Sequence, residues 1–206
     1  MTFYRDRVLP HVINVVMNTK QTRAIRERVC AGLHGEVLEI GFGTGHNLPF
    51  LPPAVTRLLA VEPSKRSVEL ARQRIDSAAV EVEIIGLDGQ GLPVPDASVD
   101  AVLCTWSLCT IPDATAAVRE VRRVLRPGGT FHFIEHGRAP DASVRRWQDR
   151  FNGVQQRVAG GCNLNRDIEA IVTAGGMSVT KLDRYYTPGE PKAVGAMYEG
   201  VATPAA

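Results

Sequence analysis

The sequence predicts an α/β protein built on a doubly wound, mostly parallel β-sheet. From residue 36 onward, short apolar runs alternate with amphipathic helical stretches, which is the pattern of consecutive βαβ units. A glycine-rich turn follows the first apolar run, and acidic residues stand at the ends of the first three runs. The chain has 206 residues, which suits one compact domain at roughly 150 residues per domain.

Each predicted element follows from its hydrophobic pattern and its end signals. Strands are predicted at residues 36–40, 57–61, 80–85, 99–105 and 130–136, with two more at about 178–186 and 193–202. Helices are predicted at about 64–76, at 113–125 with a stop at Pro127-Gly128-Gly129, and from Asn163 or Asn165 to Gly175-Gly176. The prediction is therefore seven strands separated by helical connections.

Residues 1–33 are predicted to form one or two amphipathic helices. Apolar residues fall at helical spacing, namely Val8, Val12, Val15, Val16, Ile25 and Val29. A basic face is expected from Arg5, Arg7, Lys20, Arg23, Arg26 and Arg28. We expect a single domain over 1–206, with a helical cap at 1–35 and a cofactor-binding core at 36–203.

Composition excludes several classes of function. The balance of 24 basic against 22 acidic residues gives a net charge of +2, far from the basic patch of a nucleic-acid binder. The four cysteines (Cys30, Cys104, Cys109 and Cys162) show neither C-x-x-C nor zinc-finger spacing, so we expect no metal site and a reducing, cytoplasmic location. No apolar run reaches the roughly 18 residues of a membrane span. At most, the stretch VLPHVINVVM lies on a membrane surface.

The segment VLEIGFGTGHN, residues 37–47, is the most informative part of the chain. Its glycines Gly41, Gly43 and Gly45 form G-x-G-x-G, and His46 occupies the place of the third glycine in a dinucleotide-binding loop. With Glu39 before it, such a loop suits an amino-acid head group better than a pyrophosphate. A tight turn without any ligand is the alternative for a glycine loop taken alone.

Two further acids follow the second and third predicted strands. Glu62 can accept hydrogen bonds from a ribose hydroxyl pair, and Asp88 can accept one from an adenine amine. Either acid alone is better explained as the charge of an exposed loop. Together with Glu39 they lie at the carboxyl edge, where open α/β sheets bind ligands, and this favours a nucleoside site.

With these motifs, the chain resembles the class I S-adenosylmethionine-dependent methyltransferases. The likeness covers residues 37–136 through VLEIGFGTGHN, AVEPS, LDGQGLPVPDASVDAVLCT and VREVRRVLRPGGTFHFIEH. It implies a Rossmann-like seven-stranded sheet whose last strand is antiparallel, and S-adenosyl-L-methionine as cofactor. Carried over, the cofactor-binding set is Glu39, Gly41, Gly43, Gly45, Asn47, Glu62, Pro63, Asp88, Gly89 and Thr105, with Tyr4 of the first helix closing over it.

A narrower resemblance reaches both ends of the chain. The opening FYRDRVLPHVINVVMNTKQTRAIRERV, the EHGRAP after strand five, and GGCNLNRDIEAIVTAGGM are similar to small thiol S-methyltransferases. This implies a small apolar acceptor, with a thiol as the first hypothesis. Phospholipid amine N-methylation and quinone C-methylation stay open, as does a non-catalytic protein that binds S-adenosylmethionine.

A thiol acceptor needs only modest help to ionise, because its pKa lies near about 8.5. His136 and Arg166 are the candidate catalytic residues, since a nearby cation favours the thiolate. Cys162 is the cysteine expected to face the acceptor, whereas Cys104 and Cys109 are expected in the core. An apolar acceptor pocket is expected from Trp147, Phe151, Tyr185 and Tyr186, although core packing explains such aromatics equally well.

Overall fold

The computed structural model describes residues 3–86 and 91–205 and contains one seven-stranded sheet. The strands are β1 (Gly35–Ile40), β2 (Val55–Val61), β3 (Glu81–Gly86), β4 (Val99–Thr105), β5 (Leu125–His136), β6 (Met177–Tyr186) and β7 (Ala196–Pro204). Their order is β3-β2-β1-β4-β5-β7-β6. Neighbours from β3 to β5 are parallel, and β7 is antiparallel to β5 and β6. The predicted fold class and its antiparallel last strand are confirmed.

The helices cover the two faces of this sheet. They are α1 (Leu9–Val16), α2 (Lys20–Cys30), α3 (Lys65–Asp76), α4 (Ala114–Val124), α5 (Ala142–Val158), α6 (Ile168–Ala174) and α7 (Lys192–Gly195). A π-helical turn at Tyr4–Val8 precedes α1. The central strands are mostly apolar and largely buried on both sides, as parallel strands between helical layers must be; in β4, Ala101, Val102, Leu103 and Cys104 are fully buried.

The structure differs from the predicted elements most clearly in four places. Residues 193–195, predicted in the last strand, belong to α7, and β7 begins only at Ala196. Pro127-Gly128-Gly129 does not end a helix; α4 stops at Val124 and β5 already begins at Leu125. The register jumps from Leu125, opposite Val99, to Thr130, opposite Ala101, so the intervening residues bulge out of the strand. The helix expected from about 163 begins only at Ile168, because the Asp167 side chain caps it by accepting from the Ala170 N–H at 3.1 Å.

The fourth difference is α5, a helix that is not among the predicted elements. This helix spans 17 residues, and Gln148 is its one buried residue. Its apolar residues Trp147, Phe151, Val154 and Val158 recur at helical spacing but are exposed, so the pattern contains a helical signal although that stripe does not face the core. Within the part of the chain that is described, no helix combines the length and apolarity needed to cross a membrane.

The N-terminal helices sit at the carboxyl edge of the sheet. A capping box begins α2, with the Thr19 hydroxyl accepting from the Thr22 N–H at 3.1 Å and the Thr22 hydroxyl accepting from the Thr19 N–H at 3.0 Å. The expected basic face is wrong for one member, Arg26. This arginine is 5% exposed and points inward beside Ile25 and Val29.

Candidate active site

The glycine loop joins β1 to the turn that follows it. Gly41, Gly43 and Gly45 have φ of 75°, 58° and 75°, which strongly favours glycine. A Cβ on Gly41 would meet the Ser107 side chain, and one on Gly45 would meet Phe42 at 3.0 Å. A Cβ on Gly43 would meet only the Gly41 carbonyl oxygen, at 3.9 Å. Gly43 therefore borders open space, where its lack of a side chain leaves room for a ligand.

Glu62 follows β2 and holds this loop from the other side. Its carboxylate accepts the Gly43 N–H at 2.7 Å and the Ser64 N–H at 2.8 Å. Burial raises its pKa, and the two N–H donors oppose that rise. Because each carboxylate oxygen has two lone pairs, the group keeps capacity for further donors such as ribose hydroxyls. Pro63, the next residue, is exposed.

Glu39, Asn47 and Thr105 form a buried polar network at the ends of β1 and β4. Asn47 donates to Glu39 at 2.6 Å and to the Thr105 hydroxyl at 3.0 Å. Burial raises the pKa of Glu39 to about 8, against the Asn47 hydrogen bond and the charge of Arg26. The other carboxylate oxygen of Glu39 is buried with no hydrogen-bond partner among the described residues. Such an atom is costly unless a donor joins it.

Arg26 is the residue of this network that the sequence prediction missed. Its guanidinium donates to Asn47 at 2.5 Å and to Thr105 at 3.3 Å, and lies 4.8 Å above the Trp106 ring. Burial lowers its pKa to about 10, and the charge of Glu39 opposes that change. Its Nε is also buried without a partner among the residues described. Trp106 itself has φ of 53°, a conformation that bulky residues rarely adopt.

These groups fit a zwitterionic amino-acid moiety. An ammonium would satisfy the free oxygen of Glu39, a carboxylate would complement Arg26, and the opening at Gly43 would admit the ligand. The predicted adenine contacts Asp88 and Gly89 lie outside the described residues. The structure thus joins Glu39 and Thr105 through Asn47, and Glu62 is hydrogen-bonded to the glycine loop nearby.

The cap is attached to the glycine loop through His46. Its ring donates to the Asn14 carbonyl at 3.0 Å, and burial, followed by the charge of Arg26, lowers its pKa to about 4, so the ring is neutral at pH 7. Tyr4 lies elsewhere: its hydroxyl donates to the Val158 carbonyl at the end of α5, at 2.8 Å. This contact favours a packing role for Tyr4 over the predicted cofactor contact.

The loop after β4 is held by another buried acid, Glu135 of β5. Its carboxylate accepts the N–H groups of Ser107 at 2.8 Å, Leu108 at 2.9 Å and Cys109 at 3.1 Å. Burial raises its pKa to about 7 despite these donors. The sequence does offer a signal for this residue, since an acid near the end of a strand buried on both faces requires partners.

His136, at the end of β5, lies beside two thiols. The sulfur atoms of Cys109 and Cys162 are 3.3 Å apart, and the His136 Nδ1 lies 3.8 Å from the Cys162 sulfur. Contact with Cys109, then with His136, lowers the pKa of the Cys162 thiol although burial opposes this. Burial lowers the pKa of His136, but contact with Cys162 outweighs it and the net shift is upward. The expected core position of Cys109 holds, since it is 1% exposed.

Arg166, the other catalytic candidate, binds backbone carbonyls. Its guanidinium donates to the carbonyls of Leu108, Ile111 at 2.6 Å and Pro112 at 3.3 Å. These contacts hold the loop after β4 and favour a structural role for Arg166 over a catalytic one.

The four aromatic residues expected around an acceptor do not form one wall. Trp147 and Phe151 stack on each other on α5 and are 55% and 44% exposed. Tyr185 donates to Glu199 at 2.7 Å, and Tyr186 donates to Asp141 at 2.9 Å. These contacts favour separate packing roles over a shared pocket lined by the four side chains.

Comparison with known proteins agrees with this geometry. Residues 38–133 match the family described as a methyltransferase domain. Thiol S-methyltransferase TMT1A of Homo sapiens is 33% identical over 164 residues, which are 77% of this chain and 67% of that protein. The chain belongs to the class I S-adenosylmethionine-dependent methyltransferases. Thiol S-methyltransferase TMT1B of Homo sapiens is 32% identical over 171 residues, covering 80% of this methyltransferase and 70% of that protein.

Other relatives and structures place the methyltransferase in a wider group. Phosphatidylethanolamine N-methyltransferase of Cereibacter sphaeroides is 29% identical over 140 residues, covering 64% of this chain and 68% of that one. A Haloferax volcanii methyltransferase, solved with the Trm112 methyltransferase activator, superposes with a TM-score of 0.76. It is 16% identical, and 98% of each chain is covered, so this likeness shows the fold alone.

Proposed function

We propose that this methyltransferase transfers the methyl group of S-adenosylmethionine to a small apolar thiol. The observation that carries the proposal is the likeness to two thiol S-methyltransferases across more than three quarters of the chain. The chemistry at the carboxyl edge supports the proposal. His136 ends β5 next to the loop after β4, and contact with Cys162 raises its pKa although burial opposes this.

On this proposal, Glu39, Asn47 and Arg26 bind the methionine head group, with Thr105 lining that side. Gly41, Gly43 and Gly45 provide the loop that the ligand approaches, and Glu62 accepts the ribose hydroxyls. When bound, S-adenosylmethionine supplies an electrophilic methyl group on a sulfonium. The residues of the chain then align acceptor and methyl and exclude water, which is the main source of acceleration in such a displacement.

His136 is proposed to favour the thiolate form of the acceptor. As an imidazolium it stabilises a nearby negative sulfur, and a thiol with a pKa of about 8.5 needs only a small shift to ionise near neutral pH. The reducing, cytoplasmic location stays a prediction. Peripheral membrane contact also stays one, although Val12, Val15 and Val16 of the N-terminal stretch are 45%, 73% and 58% exposed.

An acceptor panel tests this function. Purified protein with S-adenosylmethionine is offered sulfide, a short alkyl thiol, phosphatidylethanolamine in vesicles, or a reduced quinone, and S-adenosylhomocysteine release is measured. We expect release with sulfide and the alkyl thiol, and only background with the other two. Turnover confined to the phospholipid or the quinol would contradict the proposal. Cofactor binding without turnover on any member would favour a non-catalytic binding protein.

A further inference from the structure

The thiols of Cys109 and Cys162 meet the imidazole of His136 at one point, although 53 residues separate the two cysteines. One ligand atom from each residue lies within 4.8 Å of the other two. Zinc binds sulfur at about 2.3 Å and nitrogen at about 2.0–2.1 Å in a tetrahedron, which requires ligand atoms roughly 3.6–3.8 Å apart. The sulfurs are 3.3 Å apart, the Cys162 sulfur is 3.8 Å from Nδ1, and the remaining pair, Cys109 and His136, lies within 4.8 Å, so shifts of about an ångström would complete such a site.

We propose that Cys109, His136 and Cys162 bind a zinc ion whose fourth position takes the sulfur of the acceptor thiol. With zinc bound, His136 is a neutral ligand, and the metal replaces its imidazolium as the cation that favours the thiolate. Two thiolates and an imidazole are a soft ligand set, which selects zinc over magnesium or calcium. Three protein ligands with one open position are typical of catalytic zinc, whereas structural sites use four protein ligands. The acceptor part of this inference rests on the proposed thiol S-methyltransferase function, and the metal part does not.

The surroundings fix the ligands in place, as a metal site requires. The Cys109 N–H is held by Glu135 at 3.1 Å. The Cys109 carbonyl accepts both the backbone N–H of Asn163, at 2.8 Å, and its side-chain amide, at 2.9 Å. These bonds tie the segment carrying Cys109 to the residue that follows Cys162. The two thiols therefore stay together because the backbone N–H and the side-chain amide of Asn163 both bind the Cys109 carbonyl.

The position of the site suits the reaction. Cys109 stands four residues after Thr105, at the same carboxyl edge as the glycine loop. A thiol that binds the metal releases its proton to solvent, and its sulfur then forms a bond to the methyl carbon. The bond between that carbon and the sulfonium breaks, and its electron pair stays on the departing sulfur, giving S-adenosylhomocysteine. The neutral thioether product is a weaker ligand than a thiolate and dissociates.

Metal binding is tested first on the full chain, reduced with a phosphine and freed of metal with a chelator. Titration with Zn²⁺ against a chromophoric chelator should show one ion per chain, and Co²⁺ should give a thiolate-to-metal charge-transfer band. Cys109→Ala and Cys162→Ala should each lose that site. Cys30→Ala is the matched control, since Cys30 is an equally buried free cysteine on α2, and it should bind metal like the wild type.

A wild-type protein that binds neither ion stoichiometrically overturns the metal site, and this result depends on no variant. An unchanged Co²⁺ spectrum in folded Cys109→Ala or Cys162→Ala protein, checked by thermal melting, overturns it as well. For the acceptor, an alkyl thiol added to the Co²⁺ protein should shift the band, whereas its methyl thioether should not. A band that the thiol leaves unchanged overturns the acceptor part. Methylation of only amines or quinols by a protein that binds zinc would refute the proposed function but not the metal site.

Discussion

Glu39 shows how one residue can be unfavourable for the ligand-free protein and useful for binding. Its carboxyl is fully buried, one oxygen is paired with Asn47, and the other has no partner in the described structure. A charged carboxylate in that position is costly, so its pKa rises to about 8. The raised pKa means that Glu39 stabilises the fold least above pH 8, where the buried group must be charged. A bound ammonium would remove that penalty.

We therefore expect S-adenosylmethionine binding to release a proton at neutral pH. At pH 7 the ligand-free Glu39 is largely protonated, and an ammonium beside it favours the carboxylate, so affinity should rise with pH up to about 8. Calorimetric titrations in two buffers of different ionisation enthalpy measure the number of protons released. Glu39→Gln should abolish the release. Equal apparent enthalpies in both buffers for the wild type would contradict this assignment.

At the scale of elements, α2 determines where the cation of the site lies. Thr22, Ile25, Arg26, Val29 and Cys30 form its buried stripe. The stripe follows helical spacing, so the sequence contains the signal that Arg26 faces inward with Ile25 and Val29. The prediction for Arg26 considered only its charge and therefore assigned it, wrongly, to the basic face. A charged side chain on an apolar stripe is better explained by a buried partner than by solvent.

Arg26→Met tests the contribution of this helix to the cofactor site. Methionine keeps the apolar stem but removes the donors to Asn47 and Thr105 and the charge that favours ionised Glu39. We expect S-adenosylmethionine affinity to fall ~10-fold to 100-fold, since hydrogen bonds to charged groups contribute about 1.5–3 kcal/mol. Arg23→Met is the matched control, because Arg23 is exposed and contacts the Phe50 ring instead. Equal titration curves for Arg26→Met and the wild type would exclude the role.

The sequence predicts the strands better than it predicts the helices around the acceptor. The limits of β4 are predicted to the residue and those of β1 to within one, because strands buried on both faces are nearly continuous apolar runs. By contrast, α5 has apolar residues at helical spacing, but most of them are exposed and Gln148 is its one buried residue, so a search for core-facing stripes misses this helix. Asp167 caps α6 where Asn163 and Asn165 are equally good candidates in sequence. Only tertiary contacts of Asn163 and Asn165 keep them in the preceding loop.

In the whole molecule, two sets of functional groups meet at the carboxyl edge of the sheet. One set can be located from the sequence and the other cannot. The cofactor set follows strand ends, so Glu39, Glu62 and Thr105 can be located once the strands are known. The thiol and imidazole groups come from the loop after β4, the end of β5 and the segment after α5. Their spacing in the chain matches no metal-binding motif, and only folding brings them within ligand distance.

The N-terminal helices and the sheet are hydrogen-bonded to each other at this edge, so we expect ligand binding to stabilise both. We expect S-adenosylmethionine to slow amide hydrogen exchange in the glycine loop at 41–47 and also in α2, because Arg26 and Asn47 belong to one hydrogen-bonded network. The β6–β7 pair, at the opposite end of the sheet from β3, should exchange at the same rate with and without ligand and serves as an internal control. In Arg26→Met protein at saturating ligand, the effect in α2 should shrink while that in the loop persists. Protection of the loop alone in the wild type would mean that the cap does not take part in binding the cofactor.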